Sequence, residues 1–418
     1  MKIVVIGAGI CGLASGYFLS TKNHQVVILE KEKSAGGLSR GFKQKKWLWS
    51  LEDYPHHLFT SDTEAKNLIR KLNLESKLFF GQPKTSIFAK GRIFQFDSPL
   101  SILSAPFLNL PQKIRTGLTT TYLKLTSSFK TLEKCTAKEY LSNLYGKKAA
   151  EFLWQPLLLG KFGKDANSIS MSWFWGRIKK RSRRLGYLEG GFQTLVDRLT
   201  QEIKKNHGQI ICNQEVKNLN ELRKDFDKII VTVPSSIFLK IAPDLPFDYQ
   251  KKLQSLKMIG SLDLIMVLKE KFLTDDTYWL NINEPGFPFV FIDEQTNFVN
   301  STYYNNKHLL YVGGYYPQNH RYFKNSKEQI FKEFLPYLGR INPNFNFSLN
   351  VSDYVLKRDL FSQPIVPVNY SQMILPFKTP FENIYLANMQ QIYPWDRGIN
   401  YAIESGKKIA DFLVRDEN

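Results

Sequence analysis

KIVVIGAGICGLASGYFLSTKNHQVVILEKEKSAGGLSR, residues 2–40, reads as strand, turn, helix and strand. Lys2 to Ile6 is a β-branched run of the kind that forms a buried parallel strand. Gly7, Gly9 and Gly12 follow in G-x-G-x-x-G spacing, with Ile10 and Cys11 between the last two. Gly7 makes the tight turn, Gly9 lets backbone approach a pyrophosphate, and Gly12 lets the helix lie close to the sheet. The helix, running to about Ser20, points its free N–H groups and positive dipole end at the phosphates. Gln25 to Leu29 is the second strand, ended by Glu30 and Lys31. A carboxylate there accepts hydrogen bonds from ribose hydroxyls and repels a 2′-phosphate, so the unit predicts a dinucleotide other than NADP.

Six residues beyond Glu30 stand Gly36, Gly37, Leu38, Ser39 and Arg40. This second glycine pair resembles the signature of the flavin-containing amine oxidase superfamily, which includes amine oxidases, protoporphyrinogen oxidases, phytoene desaturases and, more distantly, UDP-galactopyranose mutases. The resemblance implies FAD as cofactor, with Gly36, Gly37, Leu38 and Arg40 as contacts. LGYLEGGFQTLVDRLTQEI (185–203) is similar to the family's glycine pair and helix. GQIICNQEVKNL (208–219) is similar to the strand whose valine, here Val216, meets adenine. ENIYLANMQQIYPWDRGINYAIESGKKIADFLV (382–414) is similar to the closing strand and flavin-facing helix. Asn388 stands where the family carries an acid, and Trp395, Gly398, Ile399 and Asn400 would face the flavin. WQPLLLGKFGKDANSISMSWFWGRI (154–178) and YPHHLFTSDTEAKNLIRKLNL (54–74) resemble segments of protoporphyrinogen oxidases and their bacterial relatives; the second is also similar to the histidine loop of the sugar mutases.

The expected fold class is α/β: a Rossmann-type FAD domain and a discontinuous α+β substrate domain. The FAD domain would comprise about 1–60, 185–235 and 375–418. The substrate domain would comprise 61–184, mostly helical, and 236–374, an antiparallel sheet. Helices are expected over 99–126 and 136–160, strand-like runs within 261–315, and a further strand at Trp47–Ser50. A length of 418 residues agrees with two domains, and 43% hydrophobic against 23% charged residues argues against extensive disorder. Three scattered cysteines give no disulfide framework or metal cluster. The chain opens on a strand and holds no membrane-length apolar run, which predicts a cytoplasmic protein, peripheral on a membrane at most. No second nucleotide fingerprint marks an NAD(P)H module, and no nucleic-acid module is readable.

Net charge is +19, which favours an anionic partner. WFWGRIKKRSRR (173–184) sets aromatics beside six cations and suits an anionic membrane surface or an anionic substrate. The apolar SPLSILSAPFLNLP (98–111) is a second membrane-dipping element or a cavity wall. A flavin performs the hard step itself, so the protein's task is to orient groups and exclude water. His56, of the pair His56–His57, is the expected proton relay, with only one of the two pointing inward. Lys161 and Arg397 are the other candidate catalytic groups. The leading expectation is an oxidase or desaturase acting on a bulky, apolar, anionic small molecule at a membrane surface. The alternatives are a reduced-flavin nucleotide-sugar mutase, a non-catalytic binding scaffold, and an amine oxidase proper. The positive charge balance opposes the last.

Overall fold

The structure, a computed structural model, describes residues 1–415. Its first unit is the one read from residues 2–40: strand Lys2–Ile6 (β1), helix Ile10–Ser20 (α1) and strand Gln25–Leu29 (β2). β1 and β2 pair in parallel, Ile3 opposite Val26 and Val5 opposite Ile28. A central parallel strand is covered on both faces, and Ile3, Val4 and Val5 are fully buried. Each such side chain contributes about 1.5–3 kcal/mol. Three more parallel strands come from distant sequence: Gln209–Ile211 beside β2, Lys228–Val231 beside β1, and Ile384–Leu386 beyond it.

Small residues set the distance between helix and sheet. A Cβ at Gly12 would lie 2.0 Å from the Gly7 carbonyl oxygen, and one at Gly16 would lie 2.6 Å from Ile28 Cδ1. Gly7 itself has φ +98°, a turn that side-chain-bearing residues resist. Val216 is not in a strand. The neighbouring strand stops at Ile211, because Asn213 and Gln214 turn their N–H groups to the Glu32 and Glu30 carbonyls. Trp47–Ser50 is not a strand either. Its aromatics dock instead: Trp47 meets Tyr304 edge-on, and Trp49 stacks on Tyr303 at 3.8 Å.

The second unit is built on a seven-stranded sheet. In chain order its inner strands are Lys84–Ala89 (β3), Met258–Leu268 (β4), Thr277–Ile282 (β5), Phe291–Glu294 (β6) and His308–Tyr316 (β7). Val351–Pro364 edges β4, and Arg92–Gln95 edges β3. The sheet is antiparallel except where β5 runs parallel to β3, a pairing that the long excursion between them makes possible. Against it lies a helical wall that includes Pro99–Ser104 (α2), Leu110–Leu125 (α3) and Met171–Lys180 (α4). The two long helices expected here are broken. The chain turns at Ala105–Asn109, where Pro106 stands, and Ser98 and Asn109 cap the two pieces. Residues 136–160 divide at Gly146, with φ +85°, and again at Trp154 before Pro156.

The C-terminal helix, Ile399–Arg415 (α5), returns to the parallel sheet and lies against α1. Contact is close because Gly406 has no Cβ, which would sit 2.6 Å from the Cys11 carbonyl oxygen. Both helix N-termini therefore point to the same region, beside β1's carboxyl end.

Candidate active site

Three cavities meet between the two sheets. The first, of about 130 Å³, is lined by Gly9, Gly36, Leu38, Thr232, Asn388 and Gly398, among others. Gly36 donates its N–H to the Ala8 carbonyl at 2.8 Å, which ties the two glycine turns together. Glu30 braces the glycine turn beside this cradle. Its carboxylate accepts from the Ala8 N–H at 2.8 Å and from the Glu32 N–H at 2.9 Å. Open space lies where side chains at Gly9 and Gly398 would stand, so backbone faces the cavity at both. Cys11 also lines the cradle; its thiol points to the Ala387 carbonyl, and burial pushes its pKa up to about 12. It is an inert small residue there.

The second cavity, of about 190 Å³, adjoins the first, and His56, Arg397, Gly398 and Ile399 line both. At its centre is Asp396. Lys161 Nζ lies 3.3 Å and Arg177 2.8 Å from its Oδ2, while Trp173 Nε1–H and the Arg397 N–H donate to Oδ1, each at 3.1 Å. Burial raises this carboxyl's pKa, but Lys161, Arg177 and Arg397 outweigh it and hold the group well below the usual carboxylate range. Lys161 responds the other way. Burial drives its ammonium down to about 7, with Asp396 pulling upward and Arg177 and Arg397 pushing further down. The amine also faces the rings of Trp173 and Tyr315, each at 5.2 Å. A lysine with a pKa near 7 can bind or release a proton at neutral pH.

His56 and His57 both line this cavity, which corrects the expectation that only one would. The bend Pro55–His57 presents successive side chains to one space, as a strand would not. Neither is poised near neutrality. Burial lowers His56 to about 4 and His57 to about 3. His56 Nδ1–H donates to the Tyr54 carbonyl at 2.7 Å, so the neutral ring presents its Nε2 lone pair toward Ser39 Oγ, 3.5 Å away. Of the groups lining this cavity, Lys161, near 7, and Asp62, which burial raises to about 6, titrate closest to neutrality. Arg397 donates to the Tyr315 hydroxyl at 3.1 Å, and its Nε is buried without a partner.

The third cavity, of about 680 Å³, opens beyond Arg177 and Arg181, which line both it and the second. Its walls are α2, α3, α4 and β3.

The sequence-predicted residues divide. Ile10, Cys11, Gly9, Gly36, Leu38, Asn388, Gly398 and Ile399 line the cradle. Gly37 lies against it, where its added Cβ would meet Gly9 Cα at 3.0 Å. Asn388 is held by structure: its amide donates to the Val233 carbonyl and Ser235 Oγ, fixing the turn after Ile384–Leu386. Asn400 lines the second cavity, and its side-chain oxygen accepts from the Ala65 N–H at 3.0 Å. Arg40 pairs with Asp53 at 3.0 Å, and the exposed Lys31 with Glu32 at 3.7 Å. Trp395 lines neither cavity. It stacks on Trp175 and Tyr401, at 5.5 and 6.0 Å, because the indole finds two aromatic faces in the core. Sequence reasoning missed the roles of Asp396 and Tyr315, and saw Arg177 and Arg181 only as part of the basic run 173–184 suited to an anion. The i,i+4 spacing of Arg177 and Arg181 behind a tryptophan-rich turn was the available signal.

The description flavin containing amine oxidoreductase matches residues 10–413. The chain belongs to that family. FAD is accordingly the cofactor, and oxidoreductase is the class of the family's chemistry. Among relatives, the chain is 23% identical over 311 residues to coproporphyrinogen III oxidase of Staphylococcus aureus, covering 61% of this chain and 65% of that protein. It is 27% identical over 192 residues to mitochondrial protoporphyrinogen oxidase of Nicotiana tabacum, covering 44% and 37%. In both cases the match spans less than two thirds of the relative's length. A reduced UDP-galactopyranose mutase superposes with TM-score 0.75 and 13% identity, over 99% of this chain and 93% of the other. That likeness shows the fold alone. Among the described residues no helix is long and apolar enough to cross a membrane, and no cluster could hold a metal ion.

Proposed function

We propose that this protein is an oxidase or desaturase that removes hydrogen from a bulky, apolar, anionic small molecule. The observation that carries this reading is the sequence of cavities. A glycine cradle opens on a cation-rich chamber, and that chamber opens on a large apolar cleft. The names of the porphyrinogen-oxidising relatives support it, since such substrates are bulky, apolar and carboxylated.

The residues present fit FAD: Glu30 suits the ribose, the bare backbone at Gly9 suits a pyrophosphate, and the α5 N-terminus carries no acid in its first turn. FAD, when bound, accepts a hydride from a substrate carbon. The chain's own groups do the rest. Arg177, Arg397 and the half of Lys161 that is charged near pH 7 make the chamber attractive to anions. Lys161 takes the proton the substrate releases, and Asp396 holds the amine in place. His56 fixes the loop at the cradle's edge through the Tyr54 carbonyl. Trp279 and Phe291, stacked at 4.7 Å, wall out water.

Exposed leucines on α2 and α3, beside Lys113, Arg115 and Lys124, support a peripheral seat on an anionic membrane from the cytoplasmic side. The same cation-rich chamber would also take a pyrophosphate, which keeps the sugar-mutase reading as the alternative. One experiment separates them. The FAD-loaded protein is mixed with a porphyrinogen, and separately with UDP-galactopyranose before and after dithionite reduction. Flavin bleaching by the porphyrinogen, with UDP-sugar unchanged in both states, is expected. Sugar isomerisation only after reduction would replace this reading with the mutase one.

A further inference from the structure

The cleft of about 680 Å³ is far larger than the chamber it feeds, and its two ends differ. Its walls are largely aliphatic and aromatic (Ile102, Leu103, Ile114, Leu118, Phe174 and Ile178), with Lys113, Lys124 and Arg183 also in the lining. At the inner end stand Arg177 and Arg181, the two cations it shares with the chamber. Arg177 is already paired with Asp396. The half-buried Arg181 guanidinium makes no hydrogen bond or ion pair with the described residues. Burial lowers its pKa only to about 10, so it is charged at neutral pH. The one acid in the cleft lining, Asp97, is turned away, accepting from the Thr85 N–H at 3.0 Å and from Gln95. A half-buried charge without a partner is partly desolvated, and an incoming anion would complement it.

The outer end is apolar and open. Leu103, Ile114 and Leu118 line the cleft and yet are 51%, 51% and 68% exposed, with Leu100, Leu110 and Leu125 continuing the apolar face outward. A neutral hydrocarbon would leave Arg181 unpaired. A nucleotide would lay charge along aliphatic walls. What complements both ends is a molecule with one anionic group and a long apolar body.

We propose that this cleft binds an anionic amphiphile, with its charged end on Arg181 beside Arg177 and its aliphatic chain running outward between α2, α3 and α4. This deepens the oxidase reading by naming the substrate class, and it rests on that reading only for what becomes of the ligand. Binding is measured without turnover, so an inert flavin and an empty cleft are separate failures.

The test uses FAD-loaded protein and monomeric laurate, with methyl laurate as the uncharged counterpart, read by quenching of tryptophan fluorescence (Trp154 lines the cleft). Laurate should bind roughly tenfold more tightly than its ester. Arg181→Met should abolish that difference and leave the ester's affinity unchanged, and Leu118→Asp should weaken both. The acid–ester comparison needs no variant, so it stands even if one fails to fold. Presenting oleate in phosphatidylcholine vesicles identifies the source: uptake from vesicles means a bilayer supplies the ligand, and uptake only from solution means a free amphiphile does. Equal binding of acid and ester, no binding of either, or attachment to vesicles without monomer binding would overturn the proposal.

Discussion

The cradle around Gly9 and the chamber around Lys161 share His56 and Arg397, yet they are made of different material. The cradle is backbone. Its floor is the turn Gly7–Gly12 and the pair Gly36–Gly37, both within the first forty residues, and the Glu30 carboxylate that braces the turn is pinned by two N–H groups. The chamber is side chains. Lys161 and Arg177 come from one stretch and Asp396 from another more than two hundred residues away, and both cations reach Asp396 Oδ2 within 3.3 Å. Backbone geometry can be specified locally by which residues lack a Cβ. A charge cluster can be specified only by the packing that delivers each member. Cofactor binding and substrate handling therefore fail in different ways when mutated.

The largest effect belongs to the cradle. Gly12→Val forces side-chain atoms onto the Gly7 carbonyl, which stands 2.0 Å from where a Cβ would be. Overpacking of this kind costs about 1–3 kcal/mol or more. FAD content per chain, read from the visible spectrum after purification, should fall to near zero. Retention of cofactor would show that the turn is less constrained than its geometry states.

Next is Asp396→Asn, which leaves the half-buried Arg177 guanidinium facing a neutral amide and removes the carboxylate that helps Lys161 keep its proton. Removing one partner of a buried pair costs about 3–5 kcal/mol, so thermal unfolding should move down by many degrees while isolated FAD affinity changes little. The carboxyl is held below its ordinary pKa, so its stabilisation is present above the usual carboxylate range and is lost as pH falls below it. The wild-type and variant melting curves should converge on acidification.

Lys161→Met tests the chemistry. Loss of a general base costs roughly a hundredfold or more in kcat, with cofactor content intact. The wild-type rate should follow a group titrating near 7, and the variant should not. Stability carries a second sign. The folded lysine releases its proton near 7 and the unfolded one near 10.5, so between these values the unfolded chain binds more protons. Wild-type stability relative to Lys161→Met should rise as pH is raised through that window.

Trp395→Phe should do least. Its indole stacks on Trp175 and Tyr401 away from both cavities, so about 1 kcal/mol of stacking is at stake. The bound-flavin spectrum should not move. A spectral shift would place Trp395 nearer the cofactor than its packing does.

What could be read from the chain follows the same division. β1, α1 and β2 were legible to the residue, because a β-branched run, a glycine spacing and an acidic strand end are all local signals. The long helices over 99–126 and 136–160 were not, since apolar periodicity runs through the breaks that Pro106 and Gly146 impose. β3 and β5 went unread as a parallel pair because the partners lie some two hundred residues apart, beyond any pattern in sequence. Of the chamber, Lys161 was visible as a charge in an apolar stretch, and Arg397 by its place in the turn that resembles the family's flavin-facing one. Asp396 carried no signal of its own, since its partners Lys161 and Arg177 lie more than two hundred residues away, and the depression of His56 to about 4 depends on burial that no sequence pattern reports.

On the proposed reading, a bulky anionic substrate in the chamber reduces the FAD beside it. The direct measurement is anaerobic stopped-flow reduction of the bound flavin by a porphyrinogen carboxylate, by its methyl ester, and by a diamine. Bleaching should be fastest with the carboxylate, slower with the ester and absent with the diamine. Rapid bleaching by the diamine with none by either porphyrinogen would contradict the account.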